Sequence, residues 1–289
     1  MQKIGRNSAV AMTGCTGGLG REVCRVLAQR GVTLYMLDRN EARSRQLAAE
    51  LTAEYPEFHA ETVPVDLERM ETVRAACDRL AAVPLQAFFH DAGAYSIPRH
   101  RCDTGFDNVF QINFLSPYYL IRRLTETHPG LHVAAVGSIA YRYSATDPAD
   151  VDFTHRTRAS RVYGNAKRYL MFSLYEWARE HPQATLSAVH PGITLTNITA
   201  HYPKVVFALI RYPMKLIFMS PRRAARCLIC GLDEPGTPGT WVGPRWLDIW
   251  GPPCRRELHD VSPDEQRRIG ETAERLYREL RAAETTSRQ

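Results

Sequence analysis

Residues 8–20, SAVAMTGCTGGLG, join a short apolar run to a glycine-rich turn. The run 8–14 is typical of a buried strand, and apolar residues at helical spacing follow in 18–30. Glycines between a strand and a helix let the backbone approach a pyrophosphate, and the free N–H groups of the helix favour the anion. A loop that needs glycine only for its backbone conformation is the alternative. The strand–turn–helix context favours phosphate binding.

The rest of the chain alternates strand-like and helix-like segments. Strands are predicted at 32–38, 59–66, 85–93, 131–138, 184–192 and 239–249, and helices at 40–54, 68–82, 104–127, 160–181, 221–232 and 263–283. Such alternation predicts right-handed βαβ units in an α/β fold with a doubly wound parallel sheet. No linker or repeat divides the chain, so a single domain over 1–289 is expected.

Composition excludes several classes of function. The 289 residues are 44% hydrophobic and 24% charged, which is ordinary for a globular protein. The net charge is +6, but the arginines are dispersed without interleaved aromatics, so nucleic acid is not expected as a partner. Neither a signal peptide nor an apolar run of about 18 residues is found. The seven cysteines indicate reduced thiols and a cytoplasmic location, and the CxxC of Cys227 and Cys230 indicates core packing rather than a metal site.

The turn has the spacing TGxxxGxG, which resembles the classical short-chain dehydrogenase/reductase family. The resemblance extends over residues 8–250 and is closest to the retinol-dehydrogenase-like branch, which carries an insert before the catalytic tyrosine. It implies a Rossmann-type fold, an NAD or NADP cofactor and a homo-oligomer formed through helices that flank the sheet. The turn residues that this resemblance assigns to the cofactor are Thr13, Gly14, Thr16, Gly17, Gly18, Leu19 and Gly20.

The cofactor preference is expected to depend on the end of the second strand. Asp38 is placed to accept hydrogen bonds from the adenosine ribose and to repel a 2′-phosphate, which favours NAD. Arg39 is a basic residue where NADP enzymes of the family often have one, so NADP remains the alternative. The resemblance also assigns Asp66 and Leu67 to the adenine. A helix N-cap region is a second, compatible interpretation of Asp66.

Residues 90–93, HDAG, stand where the family usually has NNAG. Ala92 and Gly93 fit the family pattern and are expected to let the cofactor pass close to the backbone. His90 and Asp91 depart from it, so His90 is expected to bond differently within the sheet. An acidic Asp91 near the cofactor puts the affinity, not the fold, in question.

A tyrosine and a lysine stand one helical turn apart at Tyr163 and Lys167. A tyrosine has a pKa of about 10, and a nearby ammonium stabilises its phenolate. The resemblance makes Tyr163 the acid–base group and Lys167 its partner and a cofactor ligand. Ser138 is expected to hold the substrate oxygen and Asn113 to complete a proton relay. In isolation, the pair would be interpreted as two surface residues. Because it follows the glycine turn in the order that the family shows, the catalytic interpretation is favoured.

Residues 190–198, HPGITLTNI, resemble the family segment that grips the nicotinamide. This assigns Pro191, Gly192, Thr194 and Thr196 to the cofactor; alone, the segment is an ordinary proline–glycine loop. Residues 197–221 follow as a predicted substrate lid, strongly apolar over 201–221 with interspersed basic residues.

The apolar lid predicts a lipophilic alcohol, aldehyde or ketone as substrate and contact with a membrane surface. A helix pair packed on the core or on a second subunit is the alternative. Residues 255–289 are a C-terminal helical extension.

Together these residues predict an NAD(P)-dependent oxidoreductase that transfers hydride between nicotinamide and a hydroxyl or carbonyl carbon. A non-catalytic cofactor sensor or scaffold on the same fold is the alternative, although such proteins usually lose the tyrosine or the lysine. An epimerase or dehydratase is disfavoured because the chain beyond residue 200 is short for a substrate domain.

Overall fold

A computed structural model of the chain describes residues 4–194 and 219–287. The strands are β1 (Ala9–Thr13), β2 (Thr33–Asp38), β3 (His59–Pro64), β4 (Leu85–His90), β5 (His132–Val136), β6 (Thr185–Val189), β7 (Thr240–Trp246) and β8 (Trp250–Glu257). The helices are α1 (Gly18–Gln29), α2 (Glu41–Glu54), α3 (Met70–Leu80), α4 (Asn108–Phe110), α5 (Ser116–Thr127), α6 (Ala159–Glu180), α7 (Pro221–Asp233) and α8 (Pro263–Ser287).

The strands form one sheet in the order β3-β2-β1-β4-β5-β6-β7-β8. All neighbours are parallel except β7 and β8, which are antiparallel. The strand order reverses between β1 and β4, so the loops after these two strands diverge to opposite faces and leave a crevice. The predicted doubly wound α/β domain is confirmed.

Side chains of each strand alternate between two cores. In β1, Ala9 and Ala11 contribute to the core that contains side chains of α3, α5, α6 and α8. Val10 and Met12 contribute to the core that contains side chains of α1, α2 and α7. A strand buried on both faces is a continuous apolar run in the sequence, which explains why this strand was predictable.

The C-terminal region differs from the prediction. One strand was expected at 239–249, but the chain forms a hairpin whose second strand, β8, lies at the sheet edge. Pro252 and Pro253 make β8 hard to predict from the sequence. Proline has no backbone N–H to donate, and it is tolerated on an edge strand because no further strand needs that donor. In the described part of the chain, no helix is long and apolar enough to cross a membrane.

Candidate active site

The glycine turn brings the backbone of β1 against the loop after β4. Gly14 has φ +79°, and a Cβ on it would lie 2.7 Å from the amide nitrogen of Ala92. Only glycine fits this conformation and this approach. Gly17 precedes α1 without any side-chain cap, so the first N–H groups of α1 are not satisfied by a capping side chain. This is the arrangement that binds a phosphate.

A cleft of about 400 Å³ opens over this turn. Asp38 lies in its wall and is buried, with its carboxylate held by the backbone N–H and hydroxyl of Thr16 and by the Ser44 hydroxyl at 2.8 Å. Burial raises the pKa of Asp38, and these hydrogen bonds lower it. The predicted cofactor residues that line the cleft are Gly14, Thr16, Gly17, Gly18, Leu19, Asp38, Arg39, Asp66, Leu67, Ala92 and Gly93.

Thr13 and His90 connect β1 to β4 and to the loop that lines the cleft. The Thr13 hydroxyl accepts hydrogen bonds from the N–H groups of Asp91 and Ala92, both at 3.2 Å, and lies 2.8 Å from His90 Nδ1. Two accepted bonds leave the hydroxyl proton for His90, so Nδ1 is the acceptor. His90 therefore connects β4 to β1 at the position where the family usually has an asparagine. Asp66 accepts from the N–H of Glu68 at 3.1 Å, a turn role compatible with lining the cleft.

Ser138 and Tyr163 meet at the carboxyl end of β5. Ser138 precedes the 3₁₀ helix Ile139–Tyr143, and its hydroxyl accepts from the N–H of Ala140 at 3.2 Å. Gly164 lets α6 press against this helix, because a Cβ there would lie 2.4 Å from the Ala140 carbonyl oxygen. Tyr163 is thus brought beside Ser138, close enough for the serine side chain to lower the pKa of the tyrosine.

The electrostatics of Tyr163 differ from the simple expectation. Burial raises the pKa of Tyr163 to about 12, the Ser138 hydrogen bond lowers it, and the Asp91 charge raises it. Lys167 is buried and donates to the Val136 carbonyl at 2.9 Å, with Nζ 5.7 Å from the centre of the Tyr163 ring. Burial lowers the pKa of Lys167 to about 8, and Asp91 opposes this shift. Ser138, rather than the lysine, is the group that lowers the tyrosine pKa here.

Asn113 lies in a π-helical segment, Gln111–Leu115, between α4 and α5. Its amide donates to the carbonyls of Ala94 and Val109, both at 2.8 Å, and its oxygen accepts from the Ala94 N–H at 3.2 Å. The buried amide is therefore satisfied, and it fixes the loop after β4 to the π-helical segment. Its predicted part in a proton relay stays a prediction.

The predicted nicotinamide segment is described only in part. Pro191 and Gly192 are buried at the end of β6, and Thr194 forms a parallel bridge with Met219. Thr196 and nearly all of the predicted lid, residues 197–218, lie outside the described residues.

Two further charged residues line the cleft, of which Asp91 was expected near the cofactor and Arg43 was not predicted. Asp91 lines the cleft, and burial raises its pKa to about 7 while Lys167 lowers it. Arg43, in the first turn of α2, lines the cleft beside Arg39. The available signal for Arg43 was Asn40, a typical N-cap residue, whose side chain accepts from the Arg43 N–H and so places Arg43 in the first turn of the helix next to Arg39.

Comparison with known proteins agrees with this geometry. The family model for short chain dehydrogenases matches residues 8–205. The chain belongs to the short-chain dehydrogenase family. It is therefore an NAD(P)-dependent oxidoreductase, and the crevice between β1 and β4 is where such a fold receives its dinucleotide.

Relatives of this short-chain dehydrogenase include two mouse enzymes. It is 28% identical to polyprenol dehydrogenase over 82% of this chain and 74% of that one, and 29% identical to retinol dehydrogenase 12 over 78% and 73%. Among solved structures, an uncharacterised Mycobacterium paratuberculosis protein matches with a TM-score of 0.72 and 20% identity over 97% of this chain and 95% of that one. A Sphingobium yanoikuyae short-chain dehydrogenase in complex with NADPH matches with 0.61 and 21% over 78% and 84%.

Proposed function

We propose that this protein is an NAD-preferring dehydrogenase that acts on a lipophilic alcohol or the corresponding aldehyde or ketone. The carrying observation is that the packing of Gly164 against Ala140 brings Tyr163 of α6 beside the segment that begins at Ser138, at the same carboxyl ends of the strands where the dinucleotide cleft opens. The bare glycine backbone and uncapped α1 fit a pyrophosphate, and the bound nicotinamide would supply or accept the hydride.

The residues divide the remaining chemistry between them. Ser138 is placed to hold the substrate oxygen. Tyr163 is placed to take the hydroxyl proton during oxidation and to return it during reduction. Lys167, buried with its ammonium beside the same cleft, would bind a ribose hydroxyl of the cofactor. Asn113 holds the loop that forms one wall of the cleft.

NAD preference is supported by Asp38, whose buried carboxylate lies in the cleft at the end of β2. Arg39 and Arg43 line the same cleft and favour a 2′-phosphate, so they support NADP as the second candidate. Cofactor titrations of wild type and Asp38→Ser separate the two. We expect NAD affinity to fall tenfold or more in the variant, as for loss of hydrogen bonds worth about 1.5–3 kcal/mol to a charged group. Tighter wild-type binding of NADP would reverse the assignment.

The lipophilic substrate class is supported by the relatives that act on retinol and polyprenol, and by the apolar composition of 201–221. The test follows nicotinamide absorbance across lipophilic alcohols and aldehydes for wild type and Tyr163→Phe. We expect turnover to fall roughly 10²–10⁴-fold, as for removal of a general acid–base group, while cofactor affinity stays within twofold. Tyr95→Phe is the matched control, since its ring contacts Tyr163 edge-on at 5.3 Å without the same role. Cofactor binding without turnover on any substrate would favour the sensor alternative.

We also propose a cytoplasmic location, supported by cysteines that are all free thiols. Fractionation of cells should recover the protein with cytoplasmic markers or on membranes that face the cytoplasm. Recovery inside a secretory compartment would contradict this proposal.

A further inference from the structure

Exposed apolar side chains of the described chain are concentrated in one place. The four large ones are Tyr143 (58% exposed), Trp246 (51%), Leu247 (70%) and Trp250 (41%). Three of them belong to 246–250, which is the three-residue turn between β7 and β8 with the strand residue on each side of it. We call Tyr143 together with this turn the aromatic tip. Such a concentration on an otherwise polar surface marks an interaction site.

The aromatic tip adjoins the substrate end of the active site. Tyr143 closes the 3₁₀ helix that begins after Ser138, and the neighbouring Arg142 forms an ion pair with Asp248 at 3.1 Å. On the other side, the Ile249 carbonyl accepts from the N–H of Ile193, directly after the Pro191–Gly192 turn. The tip therefore bridges the serine segment and the nicotinamide segment.

The tip is held in a strained but well-anchored conformation. Leu247 and Asp248 have φ of 53° and 57°, a left-handed region that costs a non-glycine residue about 1–2 kcal/mol. The buried Asp248 carboxylate pairs with Arg142 and Arg256, and its carbonyl lies 3.1 Å from His190 Nε2. These contacts turn Asp248 inward while Leu247 stays in solvent. A strained backbone that its surroundings maintain suggests a functional constraint.

The charge around the tip is positive. Arg245 is exposed beside the turn, and Arg256 donates to the Arg245 carbonyl, which brings a second guanidinium close to the turn. Asp248, the acid of the turn, is buried and paired with Arg142 and Arg256, and Arg142 also pairs with Asp260. The three arginines therefore outnumber the two carboxylates. Glu257 lies opposite Thr240, at the far end of the hairpin. Tryptophan and tyrosine beside arginine is the composition that partitions to the interface of an anionic bilayer.

We propose that the aromatic tip docks on an anionic lipid bilayer and so opens the substrate end of the active site toward the membrane. The proposal rests on the lipophilic substrate proposed above, since such a substrate would be drawn from the bilayer. A second protein copy is a poorer occupant, because a narrow hairpin tip offers far less than the roughly 800 Å² per partner of a stable interface.

The test is flotation of the full chain with vesicles of phosphatidylcholine alone or mixed with phosphatidylserine. Wild type should float with the mixed vesicles. Leu247→Asn/Trp250→Ser should lower the partition coefficient on the order of tenfold, because apolar burial is lost. Arg245→Ser should lower it roughly fivefold, as for one basic residue at an anionic surface. Leu247→Met and the remote Arg267→Ser are matched controls that should float like wild type.

Asparagine was chosen at position 247 so that the variant folds, because asparagine tolerates a positive φ better than leucine. Thermal denaturation and turnover of a water-soluble alcohol should match wild type.

Three outcomes overturn the proposal: wild type that does not float, a double variant that floats equally, or a wild-type dimer in light scattering that Leu247→Asn dissociates. A wild type that turns over a lipophilic substrate but does not float removes only this inference. Flotation without turnover on any lipophilic substrate removes only the proposed function.

Discussion

The two ends of the active site are built by different means. At the cofactor end, backbone groups of neighbouring strands meet directly, as where Gly14 contacts the loop at Ala92. At the substrate end, side chains from distant segments are joined by ion pairs, as where Arg168 of α6 contacts Glu265 of α8. The first construction depends on residues close in sequence or on sheet register. The second depends on pairs separated by about a hundred residues.

The difference teaches where each end is vulnerable. A backbone construction fails when any side chain is added, because the contacting atoms belong to the fold itself. A side-chain construction fails when one partner is removed and leaves an uncompensated buried charge. The first two of the four experiments below separate these two kinds of failure, and the other two test the charge in the cleft and a metal role.

The largest effect is expected from Arg168→Met at the substrate end. Arg168 is buried, donates to Glu265 at 2.7 Å and holds the carbonyls of Tyr141 and Ser144 at 3.0 Å. Its loss should lower the free energy of unfolding by about 3–5 kcal/mol, measured by chemical denaturation. Arg275→Met is the control, because its pair with Glu279 is more than half exposed and should change stability by less than about 1 kcal/mol. Equal losses in the two variants would contradict the comparison.

Gly14→Ala should break the cofactor end. The φ of +79° should cost about 1–2 kcal/mol, and the contact with the Ala92 nitrogen should displace the loop that forms the cleft floor. We expect loss of cofactor binding in calorimetric titration. Gly239→Ala is the matched control, since its φ is +87° but nothing lies within 4 Å of the added Cβ. Cofactor binding that survives Gly14→Ala would show that close backbone approach is not required.

Asp91→Asn should shift pH dependence rather than remove activity. The Asp91 charge raises the pKa of Tyr163, so its removal should move the rising limb of the oxidation rate to lower pH. The folded-state pKa of Asp91, about 7, is raised from 3.8, so wild type loses stability as pH rises through this window. The variant should therefore gain melting temperature over wild type at pH 8 more than at pH 4.

The exposed Asp103→Asn serves as the control for this experiment. A variant at Asp91 with an unmoved pH profile and an unmoved melting curve would show that this carboxylate does not influence the cleft.

The smallest effect is expected from metal removal. Cys227 packs in the α7 face of the core, and burial raises its pKa to about 12 and also raises the pKa of Cys230. Protonated thiols bind metal poorly, since the thiolate is the ligand. Dialysis against EDTA should leave turnover and melting temperature unchanged. A fall in either would show a metal role, and Cys230→Ser would then separate the CxxC from the cluster of Glu68, His100 and Cys102.

The homo-oligomer stays a prediction, and the position of α8 limits which surfaces could form it. α8 packs against α5 and α6, with Arg122 of α5 paired to Glu274 and its guanidinium 4.4 Å from the Tyr277 ring. An oligomer that forms through these flanking helices would have to displace α8 or use the surface left beside it. Light scattering of the full chain measures the assembly directly.

Much of the fold and cofactor end was predictable because the decisive information is local. Apolar runs buried on both faces marked the strands, and the glycine spacing from Gly14 to Gly20 marked the turn. Tyr163 and Lys167 were found because a helix places residues four apart on one face. The hydrogen bond of Lys167 could not be predicted, because its Nζ donates to a carbonyl of β5 that only the folded sheet brings near.

By itself, the sequence determined the α/β class and the glycine turn, and it placed Tyr163 and Lys167 on one face of a helix as the predicted acid–base pair. Periodicity and spacing encode these features within a few turns or strands. The tertiary structure alone decided that Ser138 acts on the tyrosine pKa, that Arg43 enters the cleft, and that β8 closes the edge. It also decided that Asp248 turns inward and leaves Leu247 exposed. Each depends on groups far apart in sequence, whose burial and partners arise only when the sheet and its helices pack together.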